Sequence, residues 1–119
     1  MKYYPTTMPF PFSKAVEVNG LLFLSGQVSM SQEGEPIYGT IEEQIAVIFQ
    51  RIAATLEECG SSMNNIVKVS VWLSDMKHFS SFNAAYSKHF ESELPARTTT
   101  VSPLAFGLDV EIEVLAMVK

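Results

Sequence analysis

Two segments late in the chain limit the fold more than any other feature. Residues 65–74 and 109–118 each alternate with the two-residue period of a β-strand, so successive side chains point to opposite faces. In the first, Val67, Val69, Val71 and Leu73 share one face, and Ile66, Lys68, Ser70 and Trp72 share the other. In the second, Val110, Ile112, Val114, Ala116 and Val118 share one face, and Glu111, Glu113, Leu115 and Met117 share the other. Both segments carry apolar residues on both faces. A sheet built from them needs cover on two sides.

The rest of the chain supplies cover for one side. Thr40-Ile41-Glu42-Glu43 fits a capping box, in which the Thr and the second Glu satisfy each other's free N–H groups. Ile41, Ile45, Ile48, Phe49, Ile52 and Leu56 follow at helical spacing, and Gly60 is placed to end the helix, which predicts a helix over 41–59. Asp75 can open a second helix, with Phe79, Phe82, Tyr86 and Phe90 as its apolar stripe and Pro95 beyond its end. Three prolines among the first eleven residues force an extended start. Residues 14–18 read as a strand, Asn19-Gly20 as a tight hairpin turn, and residues 21–26 as a strand buried on both faces. Residues 31–40 read as a loop or short strand, and residues 97–101, rich in Thr and Val, as a strand.

The order is ββ(β)αβαββ. It predicts one α+β domain over 1–119: a mixed sheet with two helices on one face. Nothing remains to cover the other face, and a large exposed apolar patch marks an interaction site. The pattern therefore predicts self-association without choosing a number of copies.

Composition narrows the class. Of 119 residues, 47% are hydrophobic and 18% charged, enough apolar content for a core and too much for a disordered chain. The net charge of -5, with 8 scattered Lys and Arg residues, argues against a nucleic-acid partner. Cys59 is the only cysteine, so it forms no internal disulfide and no cysteine zinc site; it reads as a small buried hydrophobe near a helix end. No segment has the ~18 apolar residues of a membrane span, and the proline-broken N-terminus is not a signal peptide. A cytoplasmic, reducing location is expected.

Few side chains offer chemistry. Arg97 follows Leu94-Pro95-Ala96, and a guanidinium held by a strand is a good fork for a carboxylate; residue type alone fits a surface ion pair as well. Glu111 lies at an interface if its face is covered, where a raised pKa would suit it to acid–base work, or else on a solvated edge. Asn83 sits beside the aromatic stripe, four residues from Phe79, and reads as a structural hydrogen bond to a neighbouring loop. Ser25-Gly26-Gln27 ends a buried strand. Gly26 there fits a bulge or strand exit, or the close approach of a ligand. His78 and His89 lie on the second predicted helix about 16 Å apart, too far to act as a pair or to bind a metal from that helix alone. No zinc-protease, phosphate-loop, serine-hydrolase or dinucleotide motif is present.

Larger pieces carry a resemblance. Pro11-Phe12-Ser13-Lys14-Ala15-Val16 and Gly20-Leu21-Leu22-Phe23-Leu24-Ser25-Gly26-Gln27 resemble the start of RidA/YjgF proteins. So do Asn65-Ile66-Val67-Lys68-Val69-Ser70-Val71-Trp72-Leu73-Ser74-Asp75 and Phe82-Asn83-Ala84-Ala85-Tyr86-Ser87-Lys88-His89-Phe90. Pro95-Ala96-Arg97 and Val110-Glu111-Ile112-Glu113 complete a match over nearly the whole chain, in order.

The resemblance implies a chorismate-mutase-like α+β fold and a homotrimer with sites in the clefts between subunits. It implies hydrolysis of enamines and imines, such as 2-aminoacrylate and its imine tautomer, to 2-oxo acids and ammonia, with no metal or cofactor. By position, Arg97 would bind the substrate carboxylate, and Glu111 would activate water and relay a proton. Backbone groups around Thr99 and Gly26 would hold substrate and water, and Ser25 and Asn83 would line or brace the site. Three departures stand out: Phe12 where deaminase members often have Tyr, Thr99 where many have Cys, and a loop over 102–108 about one residue short. Other readings are a small-carboxylate-binding or regulatory protein without turnover, an endoribonuclease or translation inhibitor, and a hydrolase of another C–N bond.

Overall fold

The computed structural model describes residues 1–91 and 93–119. Its strands are β1 (Lys2–Pro5), β2 (Ser13–Val18), β3 (Leu21–Leu24), β4 (Gln27–Val28), β5 (Ile66–Leu73), β6 (Ala96–Val101) and β7 (Val110–Met117). Its helices are α1 (Ile41–Glu58) and α2 (Phe79–Ser87). The strands form one sheet in the order β1-β2-β3-β7-β5-β6, with β4 also paired to β7. β5 and β6 run parallel and every other pair is antiparallel. The α+β architecture is the expected one. The details add β1 and β4, and residues 31–40 take the loop alternative, tied only by an isolated bridge between Met30 and Pro36.

Local chemistry sets the helix ends. Thr40 N donates to Glu43 Oε1 at 2.9 Å and Glu43 N donates to Thr40 Oγ1 at 3.1 Å, which closes the capping box of α1. At the other end Gly60 takes φ +79°. Its N–H reaches the Glu57 carbonyl at 3.2 Å, and Ser61 N–H reaches the Leu56 carbonyl at 2.8 Å, a Schellman closure. Cys59 caps that end and is buried, and burial raises its thiol pKa.

The second helix is shorter than its stripe suggests. Asp75 caps a short 3-10 turn over Met76–His78, and α2 proper ends at Ser87. Phe90 therefore lies past the helix, although its ring still meets Phe49 edge-on at 5.6 Å. Neither histidine is on α2. His78 belongs to the 3-10 turn and lies 3.6 Å from Asp109, while the His89 ring stacks on Phe49 at 4.8 Å.

α1 and α2 cover one face of the sheet. Leu22, Leu24, Val69, Val71, Leu73, Val110, Ile112, Val114 and Ala116 pack there against Ile45, Ile48, Ile52, Leu56, Phe82 and Tyr86. One expected face assignment fails at Val67, which is 45% exposed while Ile66 is buried. The register between β5 and β7 shifts between Ile66 and Lys68. This bulge turns Ile66 toward the core and Val67 away from it. Phe23 corrects a second expectation. β3 is buried on one face only, and Phe23 on the other is 46% exposed.

Candidate functional site

A second bulge shapes the region around Glu111. Along one edge of β7, Phe23 pairs with Leu115 and Gln27 with Ile112, so β3 and β4 take four steps where β7 takes three. The extra residue falls at Ser25-Gly26. A Cβ placed on Gly26 would collide with Glu111 Oε2, so the carboxylate lies directly against this glycine. Glu111 itself is flanked by Val28 on β4 and Trp72 on β5.

Glu111 opens into a cavity of about 210 Å3 walled by Met8, Phe10, Phe12, Met30 and Phe106. The rings of Phe10 and Phe12 stack 6.2 Å apart on one side. Phe106 is held on another by a left-handed backbone (φ +61°) and by the Tyr38 hydroxyl, which donates to its carbonyl at 2.8 Å. Burial, followed by the charge of Glu113, raises the Glu111 pKa above its ordinary value.

Arg97 lies in a different environment. It sits on β6 opposite Val69, whose side chain is in the core, so the guanidinium points to the helix-covered face. There it packs over three rings of α2, with its carbon 5.0 Å from the Tyr86 centroid, 5.3 Å from Phe82 and 5.8 Å from Phe79. Its Nη2 donates to Asn83 Oδ1 at 2.8 Å. The Tyr86 hydroxyl is buried without a hydrogen-bond partner among the described residues, and burial pushes its pKa up to about 12 against the opposing pull of Arg97. The stripe on α2 is thus both core and cradle for the cation.

Glu111 pairs with Trp72, on the uncovered face, whereas Arg97 pairs with Val69, on the covered one. Within one protomer the two groups point to opposite sides of the sheet.

Residues 6–118 match the family model described as Endoribonuclease L-PSP. The chain belongs to this family, the RidA/YjgF family. It is 42% identical over 110 residues to a RutC family protein of Aquifex aeolicus, covering 90% of this chain and 88% of that one. It is 40% identical over 109 residues to the protein MMF1, mitochondrial, of Saccharomyces cerevisiae, covering 91% of this chain and 75% of that one. A crystal structure of a YjgF family member from Neisseria meningitidis superposes with a TM-score of 0.85 at 33% identity, covering 99% of this chain and 94% of that one.

The fold of this RidA/YjgF chain brings its candidate residues together in two groups. Phe12, Gly26 and Glu111 line one cavity. Arg97 and Asn83 form a hydrogen-bonded pair elsewhere, and Thr99, paired with Val71, shares their face. Asn83 therefore braces the arginine instead of a loop. Ser25 adjoins Gly26, but its hydroxyl donates to the Ser13 carbonyl at 2.6 Å and pins β3 to β2. Sequence reasoning missed Met8, Phe10, Met30 and Phe106 as cavity walls. The one sequence signal was the pair of phenylalanines at 10 and 12 among prolines, which an extended backbone turns to the same side.

Proposed function

We propose that this protein hydrolyses reactive enamines and imines of 2-amino acids, such as 2-aminoacrylate and 2-iminopropanoate, to 2-oxo acids and ammonia. The observation that carries the proposal is Glu111: a half-buried carboxyl with a raised pKa, set against Gly26 under an apolar cavity. A carboxylate of raised pKa is a stronger base near neutral pH.

The imine carbon is already electrophilic, so orientation and one proton relay suffice. Glu111 takes a proton from water as the water oxygen bonds to the imine carbon. The C=N π pair passes to nitrogen, which collects the proton from Glu111. The tetrahedral adduct then collapses: Glu111 takes the hydroxyl proton and passes it to the nitrogen, the C=O bond forms, the C–N bond breaks and ammonia leaves. Arg97 holds the substrate carboxylate through N–H donors not given to Asn83. Phe12 itself offers only van der Waals contact, because it brings no hydroxyl.

Because Arg97 and Glu111 of one protomer point apart, the reading requires two copies. Arg97 of one subunit meets Glu111 of the next, in a homotrimer with three such clefts. Phe23, Leu115 and Met117 on the uncovered face supply apolar surface for that assembly. The reaction as written uses no metal or cofactor. A cytoplasmic location belongs to the same proposal.

A second reading has one observation in its favour: among the described residues, Glu111 is the only ionisable side chain lining the cavity. A site so sparsely equipped also suits a small-carboxylate-binding protein without turnover. Imines generated in place by an amino-acid oxidase, with semicarbazide trapping the survivors, separate the two. Wild type is expected to compete with the trap, and Arg97→Ala to lose about 100-fold or more in kcat/KM. If neither protein speeds the loss of any imine while wild type binds 2-oxo acids, the binding reading replaces the catalytic one.

A further inference from the structure

A larger and more polar cavity, of about 390 Å3, lies between α1, β4 and the N-terminal arm. Arg51, Thr55 and Glu58 reach it from one face of α1, Thr55 and Glu58 lying four and seven residues beyond Arg51, and Lys14, Gln27 and Gln50 line it as well. Its volume falls in the range of small-molecule sites.

Arg51 is the unusual member. Its Nε donates to Gln27 Oε1 at 3.0 Å, Nη1 to the Met30 carbonyl at 3.1 Å and Nη2 to Met8 Sδ at 2.8 Å. All three acceptors are neutral, and a thioether is a weak one. In a chain with 13 acidic residues, no carboxylate among the described residues lies within 4.0 Å of this guanidinium. Glu58, at the same cavity, is engaged by Lys14 at 2.6 Å. Burial lowers the Arg51 pKa, the mark of a cation whose lost hydration is not made good by an anion. An arginine has five N–H donors, so two remain for a ligand.

We propose that this cavity is a second binding site, for a small polar organic anion whose carboxylate or phosphate sits on Arg51. An oxyanion displaces Met8 Sδ from Nη2, because charge-assisted hydrogen bonds are about twice as strong as neutral ones. The glutamines and Thr55 suit hydroxyl groups on the body of the ligand. Met8 and Gln27 also line the cavity over Glu111, so the two cavities share a wall. The inference stands whether or not the protein hydrolyses imines.

The test uses the full chain carrying 13C-methyl methionine, titrated with D-glycerate, glycerol 3-phosphate and glycerol. These probes share a polyol body and differ in having a carboxylate, a phosphate or no charge. The Met8 methyl resonance is expected to shift saturably with at least one anion and not with glycerol; which anion binds identifies the head group. Arg51→Gln is expected to weaken binding about tenfold or more, and Arg97→Ala to leave the response unchanged. A Met8 resonance in wild type that neither anion moves at millimolar concentration overturns the proposal, whatever the variants do. So does equal affinity in folded Arg51→Gln. If Arg51→Gln fails to fold, Arg51→Lys serves instead: it keeps the charge without the fork, and undiminished affinity there contradicts the assigned geometry.

Discussion

On the helix-covered face of the sheet, Val69, Val71, Ile112 and Val114 are at most 2% exposed; on the other face, Phe23 and Met117 are 46% and 53% exposed. Both faces come from the same alternating strands. The first is completed by α1 and α2, and the second is completed by no element among the described residues. The candidate chemistry divides along the same line, with Arg97 and Asn83 on the covered side and Glu111 with Gly26 on the open side. The contrast teaches that one sheet can hold two candidate groups on opposite faces, so that a single chain does not bring them together.

The covered face should give the largest effect on stability. Ile112→Ala removes a fully buried side chain and is expected to cost about 2–5 kcal/mol, measured by denaturant unfolding. A much smaller loss would mean that this layer is loosely packed. Phe23→Lys is the counterpart on the open face. It is expected to cost a single protomer about 0.5 kcal/mol or less and to convert the assembly to single protomers in light scattering. An unchanged oligomer would remove Phe23 from the interface.

The smallest effect expected is a pH dependence. The Glu111 pKa is raised in the folded protein, so folding favours its protonated form. That contribution is present at low pH and is lost as pH rises through the folded value. Glu111→Gln should therefore gain stability relative to wild type between about pH 4 and about pH 7. Thermal unfolding at both values checks the sign. An equal gap at the two would show that the carboxyl is not desolvated.

Much of this architecture was legible in the sequence. The capping box at Thr40 and the Gly60 stop are local chemistry, and α1 begins and ends where they place it. Alternation in β7 correctly divided Glu111 from Ile112. The bulge at Val67 escaped, because an extra residue in a strand leaves no local mark when both neighbours are apolar. The Arg97–Asn83 bond escaped for another reason: the partners are 14 residues apart and meet only once α2 lies on β6. Arg51 gave no signal, since an arginine on a helix face reads as solvated until its surroundings are known.

The central claim is that each site takes Arg97 from one subunit and Glu111 from another. Subunit complementation tests it most directly. Arg97→Ala and Glu111→Gln chains are unfolded together and refolded as a mixture, and imine hydrolysis is measured against each variant alone. The account predicts two nearly inactive parents and a mixture that regains a substantial part of wild-type activity, because some clefts then hold an intact pair. Mixed oligomers that form and stay as inactive as their parents would contradict it.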